Sequence, residues 1–121
     1  MKQSIIREKS FAFALEIIEI AKRLQKENEY VLSKQLLRSG TSVGANVREA
    51  LNAASYKEFI YKLTISQKEC DESLYWIELL HRSGYIETPV HINLKSKAEE
   101  QLRILRSIII TSKKNLNQRN S

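Results

Sequence analysis

The sequence predicts an all-α fold, an antiparallel four-helix bundle with up-down-up-down topology. Four segments carry apolar residues at the three- and four-residue spacing of a helix, and no segment shows the alternation of a strand. The connections between them are short, so each helix must reverse direction relative to the one before it. With 121 residues, the chain is long enough to bury one core. We therefore expect residues 1–121 to form a single domain.

The first predicted helix runs from about Ser10 to Glu27. Its apolar residues form two adjoining stripes, a pattern that predicts burial over a broad face. One stripe consists of Phe11, Ala14, Leu15, Ile18 and Ala21, and the other of Phe13, Ile17, Ile20 and Leu24.

The second predicted helix begins between Glu29 and Ser33, ends near Ala54 and contains Gly40 and Gly44. A phosphate-binding loop would need the spacing GxxxxGK[ST], whereas only three residues separate these glycines and no lysine follows the second. Each glycine inside a helix costs about 1 kcal/mol relative to alanine, so two of them indicate a compensating contact. We therefore expect a neighbouring helix to approach the backbone closely at these two positions.

The opposite face of this helix carries a polar sector made of Arg38, Ser42, Asn46 and Glu49. The sector is either a solvated surface or a polar seam against another helix, since short side chains permit close approach and charged ones can pair across it. Acidic residues of the third helix are available to pair with its arginines. The candidates for a contact between subunits are Arg38, Ser42, Asn46, Arg48, Glu49, Glu69, Glu72 and Trp76.

The third predicted helix opens at Ser55, whose S-x-x-E spacing with Glu58 is typical of a capping box. Gly84 can adopt the left-handed conformation that ends a helix. Between them an apolar stripe repeats every seven residues and includes Cys70, the only cysteine of the chain. This position predicts a core residue rather than a nucleophile, and a single cysteine permits no internal disulfide.

Four apolar residues of the third helix lie outside that stripe and form a second surface: Tyr61, Ile65, Trp76 and Leu79. A tryptophan is commonly half-buried in a monomer, which would account for one of them. A second apolar face that one small bundle does not cover instead indicates self-association.

The fourth predicted helix opens at Thr88 and Pro89, because proline suits the first helical position. Its buried stripe consists of Leu94, Ala98, Leu102, Leu105 and Ile109. Few apolar residues follow Ser112, and we expect a frayed basic tail from about residue 113.

The formal net charge of +6 is spread unevenly, since the carboxy-terminal region is basic while Tyr56 to Tyr85 is slightly acidic. A basic tail is either a solvated terminus or an electrostatic footprint for nucleic acid. The basic segment lacks interleaved aromatic residues, so any contact with RNA or DNA would be mainly with phosphates. The candidates for that contact are Lys95, Arg103, Arg106, Lys113 and Lys114.

No residue pattern indicates catalysis, a cofactor or a metal. A di-iron bundle needs a Glu-x-x-His pair on each of two helices, but only His81 has a glutamate, Glu78, at that spacing, and His91 has Thr88 there instead. We expect a non-enzymatic protein. The apolar run of the first helix is broken by glutamates and is too short for a membrane segment or signal, which predicts a soluble, cytoplasmic protein.

Two stretches carry a family resemblance. LLRSGTSVGANVREA at residues 36–50 and EFIYKLTISQKECDESLYWIELL at residues 58–80 resemble bacterial four-helix-bundle proteins related to those encoded in intervening sequences of large-subunit ribosomal RNA genes. The resemblance covers most of the chain and implies an antiparallel bundle. The wider group includes ring-like pentamers, so the resemblance also implies a homo-oligomer, most simply a pentamer.

The resemblance implies a fold more than a function, because no activity is established for most of the family. A distant relative, the accessory protein of diversity-generating retroelements, is a basic pentamer that works with a reverse transcriptase and nucleic acid. Two hypotheses follow for this chain. It is an oligomeric scaffold or adaptor for protein partners, or it is a nucleic-acid-associated accessory protein that binds RNA or DNA through basic surface.

Overall fold

The structure, a computed structural model, describes residues 1–119. These residues form four α-helices: α1 (Lys2–Lys26), α2 (Val31–Leu51), α3 (Tyr56–Arg82) and α4 (Thr88–Arg119). No strand occurs anywhere in residues 1–119. The predicted all-α, four-helix class is therefore confirmed.

The helices pack in the cyclic order α1, α2, α3, α4, with α4 returning to contact α1. Contacts between α1 and α4 run in opposite order along the two helices, since Lys9 pairs with Glu100 and Arg23 pairs with Glu87. The contacts of α2 with α3 and of α3 with α4 also run in opposite order along the two helices. This is the contact order of antiparallel neighbours in a bundle.

One hydrophobic core runs through the bundle and draws side chains from all four helices. Phe13, Leu36, Leu63 and Leu105 are among its largest fully buried members. All the residues predicted for the buried stripe of α4 are buried, and Cys70 of α3 is fully inaccessible. The helical apolar period therefore identified the inward faces of these two helices.

Both ends of the chain are more helical than predicted. Helix α1 begins at Lys2 rather than near Ser10, and its added turns bring the buried Ile6 into the core. Helix α4 continues to Arg119, beyond the predicted loss of order after Ser112, and the fraying of the tail from about residue 113 stays a prediction. Two tertiary contacts hold this segment: Asn115 donates to the Tyr56 hydroxyl at 3.1 Å, and Arg119 lies 4.9 Å above the Tyr56 ring. The part of the predicted tail at residues 120 and 121 lies outside the described residues.

The broad burial predicted for α1 is wrong on one flank. Phe13 and Ile17 are buried as expected, but Phe11 is 57% exposed and Leu15 is 51% exposed. Helix α1 contacts only α2 and α4, so the stripe with Phe13 and Ile17 faces the core, whereas the other stripe is exposed at Phe11 and Leu15 and buried at Ala21. The sequence pattern could not show which stripe a single chain would cover.

The connections between helices use specific polar contacts. Ser55 caps α3 by accepting a hydrogen bond from the Glu58 amide at 3.1 Å. The Glu58 carboxylate accepts the amide of Ala54 at 2.8 Å, one residue before the Ser55 amide that a capping box would use. Gly84 has a φ of 85° just after α3 and permits the predicted left-handed stop. The start of α2 is capped by Glu29, whose carboxylate accepts three backbone N–H groups.

Candidate functional site

Helices α1 and α2 lie in close contact at the two glycines. A Cβ atom added at Gly40 would lie 2.8 Å from both γ carbons of Ile17, which is closer than real side chains pack. One added at Gly44 would lie 3.3 Å from the backbone oxygen of Ser10. The absence of side chains at Gly40 and Gly44 therefore permits this close crossing. The packing between the two helices offsets the low helix propensity of glycine.

The charged part of the predicted polar sector is paired within the chain. Arg38 donates to Glu69 at 3.1 Å and also pairs with Glu72 of α3. The indole of Trp76 donates to the same Glu72 at 2.9 Å. These contacts form a polar seam between α2 and α3 that one subunit can satisfy by itself. Its burial at a contact between subunits stays a prediction.

The other residues of α2 that are candidates for a contact between subunits also have partners, with one exception. Ser42 and Asn46 each donate to a backbone carbonyl one turn earlier in α2, at 2.7 and 2.9 Å. Glu49 accepts from Lys62 of α3 at 2.9 Å, and this hydrogen bond raises the pKa of the lysine. Arg48 is exposed and forms no ion pair with any residue of the described range. It lies instead on the flank of α2 that faces α1.

An apolar groove of about 480 Å³ lies between α1 and α2 on the outside of the bundle. We call it the α1–α2 groove; its lining includes Phe11, Ala14, Ile18, Gly44 and Ala45, with Arg7, Thr41, Arg48 and Glu49 around them. Leu15, on the neighbouring turn of α1, extends the apolar area beside it. An exposed apolar patch rimmed by polar residues is a candidate interaction surface.

A second apolar surface lies on the flank of α3 that faces α2, and we call it the α3 strip: Tyr61, Ile65, Trp76 and Leu79. Tyr61 is 62% exposed and the other three are half-buried. The rings of Tyr75 and Trp76 meet edge to face with centroids 5.1 Å apart. The predicted second apolar surface is thus only partly covered by its own chain.

The candidate nucleic-acid residues all lie exposed on α4. Lys95, Arg103, Arg106, Lys113 and Lys114 form no ion pair with any described residue. All five share one outward sector of α4, with Lys95, Arg106 and Lys113 on one side of it and Arg103 and Lys114 on the other. By contrast, Lys97 on the same helix is held by Glu16 of α1 at 2.5 Å.

The two histidines come together at the turn between α3 and α4. Their rings stack with centroids 4.1 Å apart, and His81 lies 3.1 Å from the Thr88 hydroxyl. Burial lowers the pKa of His91, and the neighbouring His81 lowers it further. Within residues 1–119, no three side chains among His, Cys, Asp and Glu are grouped so that they could hold a metal ion. The stacked rings of His81 and His91 connect the end of α3 to the first turn of α4.

Cys70 has the environment of a structural thiol. Its S–H donates to the Ala98 carbonyl at 3.3 Å, and burial raises the pKa of the thiol to about 12. A thiol with so high a pKa supplies almost no thiolate near neutral pH. This agrees with its predicted place in the core.

The sequence profile of the 23S rRNA-intervening sequence protein family matches residues 2–107, which include α1, α2, α3 and more than half of α4. The chain belongs to this family. The resemblance found in the sequence is therefore confirmed, and this intervening-sequence family protein has the four-helix fold that the resemblance implied.

A solved structure gives a close comparison for this intervening-sequence family protein. It is a protein of unknown function from the S23 ribosomal protein family of Bacteroides thetaiotaomicron VPI-5482, and it is 44% identical to this chain. The match covers 90% of this chain and 98% of the other, with a TM-score of 0.88. No curated protein matches the chain. None of the helices in residues 1–119 is long and apolar enough to cross a membrane.

Sequence reasoning missed one feature of this intervening-sequence family protein, the α1–α2 groove. Its signal was present, since α1 carries two apolar stripes where one would suffice for a core of this size. We interpreted both stripes as buried by the chain itself. The structure instead leaves Phe11 and Leu15 exposed.

Proposed function

We propose that this protein is a non-enzymatic homo-oligomeric scaffold, assembled from copies of its bundle to serve as an adaptor for protein partners. The observation that carries the proposal is the α1–α2 groove, where an aromatic and several aliphatic side chains remain open to solvent. Burying such an area stabilises an assembly by about 25 cal/mol per Å² before the costs of association. The resemblance to ring-forming proteins supports the same conclusion and points to a pentamer.

We expect the wild-type chain to assemble and the variant Phe11→Gln/Leu15→Gln to be a monomer. Both side chains are more than half exposed, so their replacement by a polar residue of good helix propensity should leave the fold intact. Size-exclusion chromatography with light scattering at high micromolar concentration measures the mass directly. The matched control is Ile92→Gln/Ile110→Gln, which changes two exposed apolar residues of α4 and should assemble like the wild type. A monomeric wild type would contradict the proposal.

The basic face of α4 favours a second candidate function, the binding of RNA or DNA through phosphates. Seven basic residues and two acidic ones occur along α4, and the candidate cations have no ion-pair partner in the described part of the chain. Unpaired cations on one helix face give counterion release to a bound polyanion without breaking internal contacts. Their long side chains remain free to reach phosphates.

For this second function we expect a structured RNA hairpin to bind in low salt and dissociate steeply as salt rises. Charge reversal at Arg103, Arg106 and Lys114 should abolish the binding measured by fluorescence anisotropy. Charge reversal at Lys22, Lys34 and Lys57, exposed on the other three helices, is the control. Equal loss in both sets would indicate a general charge effect, and unchanged binding in the α4 set would exclude α4 as the site.

A further inference from the structure

We infer that a cavity at the start of α1 binds a small phosphomonoester and holds its phosphate group. The cavity, which we call the α1-end cavity, has a volume of about 310 Å³. It lies between the first residues of α1, the start of α3 at Tyr56 and the late turns of α4. Its lining shares no residue with the α1–α2 groove and includes none of the five candidate cations of α4. This binding therefore goes beyond the proposed function and does not depend on assembly.

The cavity exists because α4 extends past the start of α1. Lys2 of α1 donates to the Ser107 hydroxyl of α4 at 2.5 Å, which sets the two helices level at this point. Helix α4 then continues to Arg119, and at about 1.5 Å per residue its additional turns reach about 18 Å further. The first turn of α1 therefore lies beside a wall of α4, and Lys2 and Gln3 line the space in front of it.

The start of α1 supplies backbone donors and positive charge. Its first backbone hydrogen bond joins the Ile5 N–H to the Met1 carbonyl, so the N–H groups of residues 2–4 have no acceptor within the helix. Within residues 1–119 no side chain caps these groups, and the first turn contains no acidic residue. Lys2 adds an ammonium group that forms no ion pair with any described residue. The positive end of the helix dipole and this ammonium group both favour an anion in the cavity.

A buried hydroxyl of α4 points to a ligand independently of the helix end. Ser112 is only 5% exposed and lines the cavity, and its hydroxyl forms no hydrogen bond with any described residue. Other buried serines donate inside the fold, as Ser66 does to the Val43 carbonyl and Ser33 to the Glu29 carbonyl, both at 2.8 Å. A buried hydroxyl without a partner is costly, so the partner of Ser112 is a group that enters the cavity.

The other polar groups around the cavity are also donors. Thr111 lines it with a second hydroxyl that has no hydrogen-bond partner among the described residues. The Tyr56 hydroxyl accepts from Asn115 at 3.1 Å, which leaves its own proton for donation. None of the described residues that line the cavity is acidic. A phosphate group, with three acceptor oxygens and a charge of about −1.5 to −2 near pH 7, matches this set of donors.

An adjoining hollow leaves room for the organic part of the ligand. It has a volume of about 360 Å³ and shares Gln3 and Tyr56 with the α1-end cavity. Its remaining lining is largely apolar and includes Ala53 and Phe59. The rings of Tyr56 and Phe59 meet edge to face with centroids 6.2 Å apart. An apolar or aromatic group that continues from the phosphate can therefore pack against this pair, which favours a phosphomonoester over free phosphate.

Isothermal titration calorimetry of the untagged chain tests the inference, with AMP, inorganic phosphate and adenosine as probes. We expect AMP to bind, inorganic phosphate to bind more weakly, and adenosine, which lacks the phosphate, to show no saturable binding. Ser112→Ala and Lys2→Gln should each weaken the binding of AMP about tenfold, because each removes a hydrogen bond to a charged group.

Matched variants separate binding from stability. Ser112→Ala should leave urea stability at the wild-type value, because its hydroxyl has no partner within the described chain. Ser66→Ala, at a fully buried serine that donates to Val43, should lower stability and keep the affinity for AMP. Lys22→Gln, at an exposed lysine of the same helix as Lys2, should also bind AMP like the wild type.

Four outcomes would overturn the inference. The first is no saturable binding of AMP, and the second is adenosine or inorganic phosphate bound as tightly as AMP. The third is an undiminished affinity for AMP in both Ser112→Ala and Lys2→Gln, which would place the phosphate elsewhere. The fourth is a 5′-phosphorylated RNA hairpin that binds more tightly than AMP and loses affinity in Lys2→Gln, which would assign the cavity to the end of an RNA.

Discussion

Gly40→Leu is expected to destabilise the protein by about 3 kcal/mol, the upper end of the range for overpacking a core. A Cβ atom alone would lie 2.8 Å from two γ carbons of Ile17, and three further carbons would have to fit beyond it. Ile17 is fully buried and its γ carbons sit close to its backbone, so α1 as a whole would have to move away from α2. Urea denaturation at a fixed protein concentration measures the loss in free energy of unfolding.

Two comparisons make this prediction specific. Gly44→Leu should cost less, about 1–3 kcal/mol, because Gly44 borders the open groove and its nearest neighbour is 3.3 Å away. Ala12→Leu, at an exposed position of α1, should change stability by no more than about 0.5 kcal/mol. Adding Ile17→Ala to Gly40→Leu should recover part of the loss, because it vacates the space that the leucine needs. A Gly40→Leu variant that unfolds at the wild-type urea concentration would show that the helices do not cross closely here.

Glu29→Ala is expected to cost about 2–3 kcal/mol, because the carboxylate serves as the cap of α2. The Glu29 side chain accepts the backbone N–H groups of Val31, Leu32 and Ser33 at 3.2, 2.9 and 2.7 Å. Tyr30, which precedes the helix, contributes no capping side chain. Glu29 is also only 9% exposed, so water has limited access to donors that lose their acceptor. Its negative charge also stabilises the helix by interacting favourably with the positive, amino-terminal end of the helix dipole.

The matched control for Glu29→Ala lies two residues earlier. Glu27→Ala removes an exposed carboxylate 3.9 Å from Arg23, and such surface pairs contribute at most about 1 kcal/mol. Glu29→Gln keeps one acceptor oxygen but loses the charge, so its stability should fall between those of the wild type and Glu29→Ala. Thermal and urea unfolding followed by circular dichroism would rank the three variants. If Glu29→Ala proved no less stable than Glu27→Ala, the cap would have no energetic role.

The apolar period by itself determined the helices, the inward faces of α3 and α4 and the core position of Cys70. Local rules also determined the side-chain cap at Ser55 and the left-handed stop at Gly84. Such features depend on residues within one or two turns of each other, which is the range that a sequence pattern records. The same is true of the glycine pair, since glycine inside a helix is costly unless a neighbouring backbone approaches.

Only the tertiary structure decided which surfaces the chain leaves uncovered. The two apolar stripes of α1 have similar composition, and the packing of α1 against both α2 and α4 selected one for the core and turned Phe11 and Leu15 outward. The sequence offered Glu69 and Glu72 as partners for Arg38 or Arg48, and the packing of α2 against α3 pairs both carboxylates with Arg38 within one chain. Helix α4 extended past its predicted end because Tyr56, far away in sequence, lies beside Asn115 and Arg119. The physical reason is common to all three: periodicity fixes which side of a helix is apolar or charged, whereas the neighbour that covers it is chosen by contacts between distant parts of the chain.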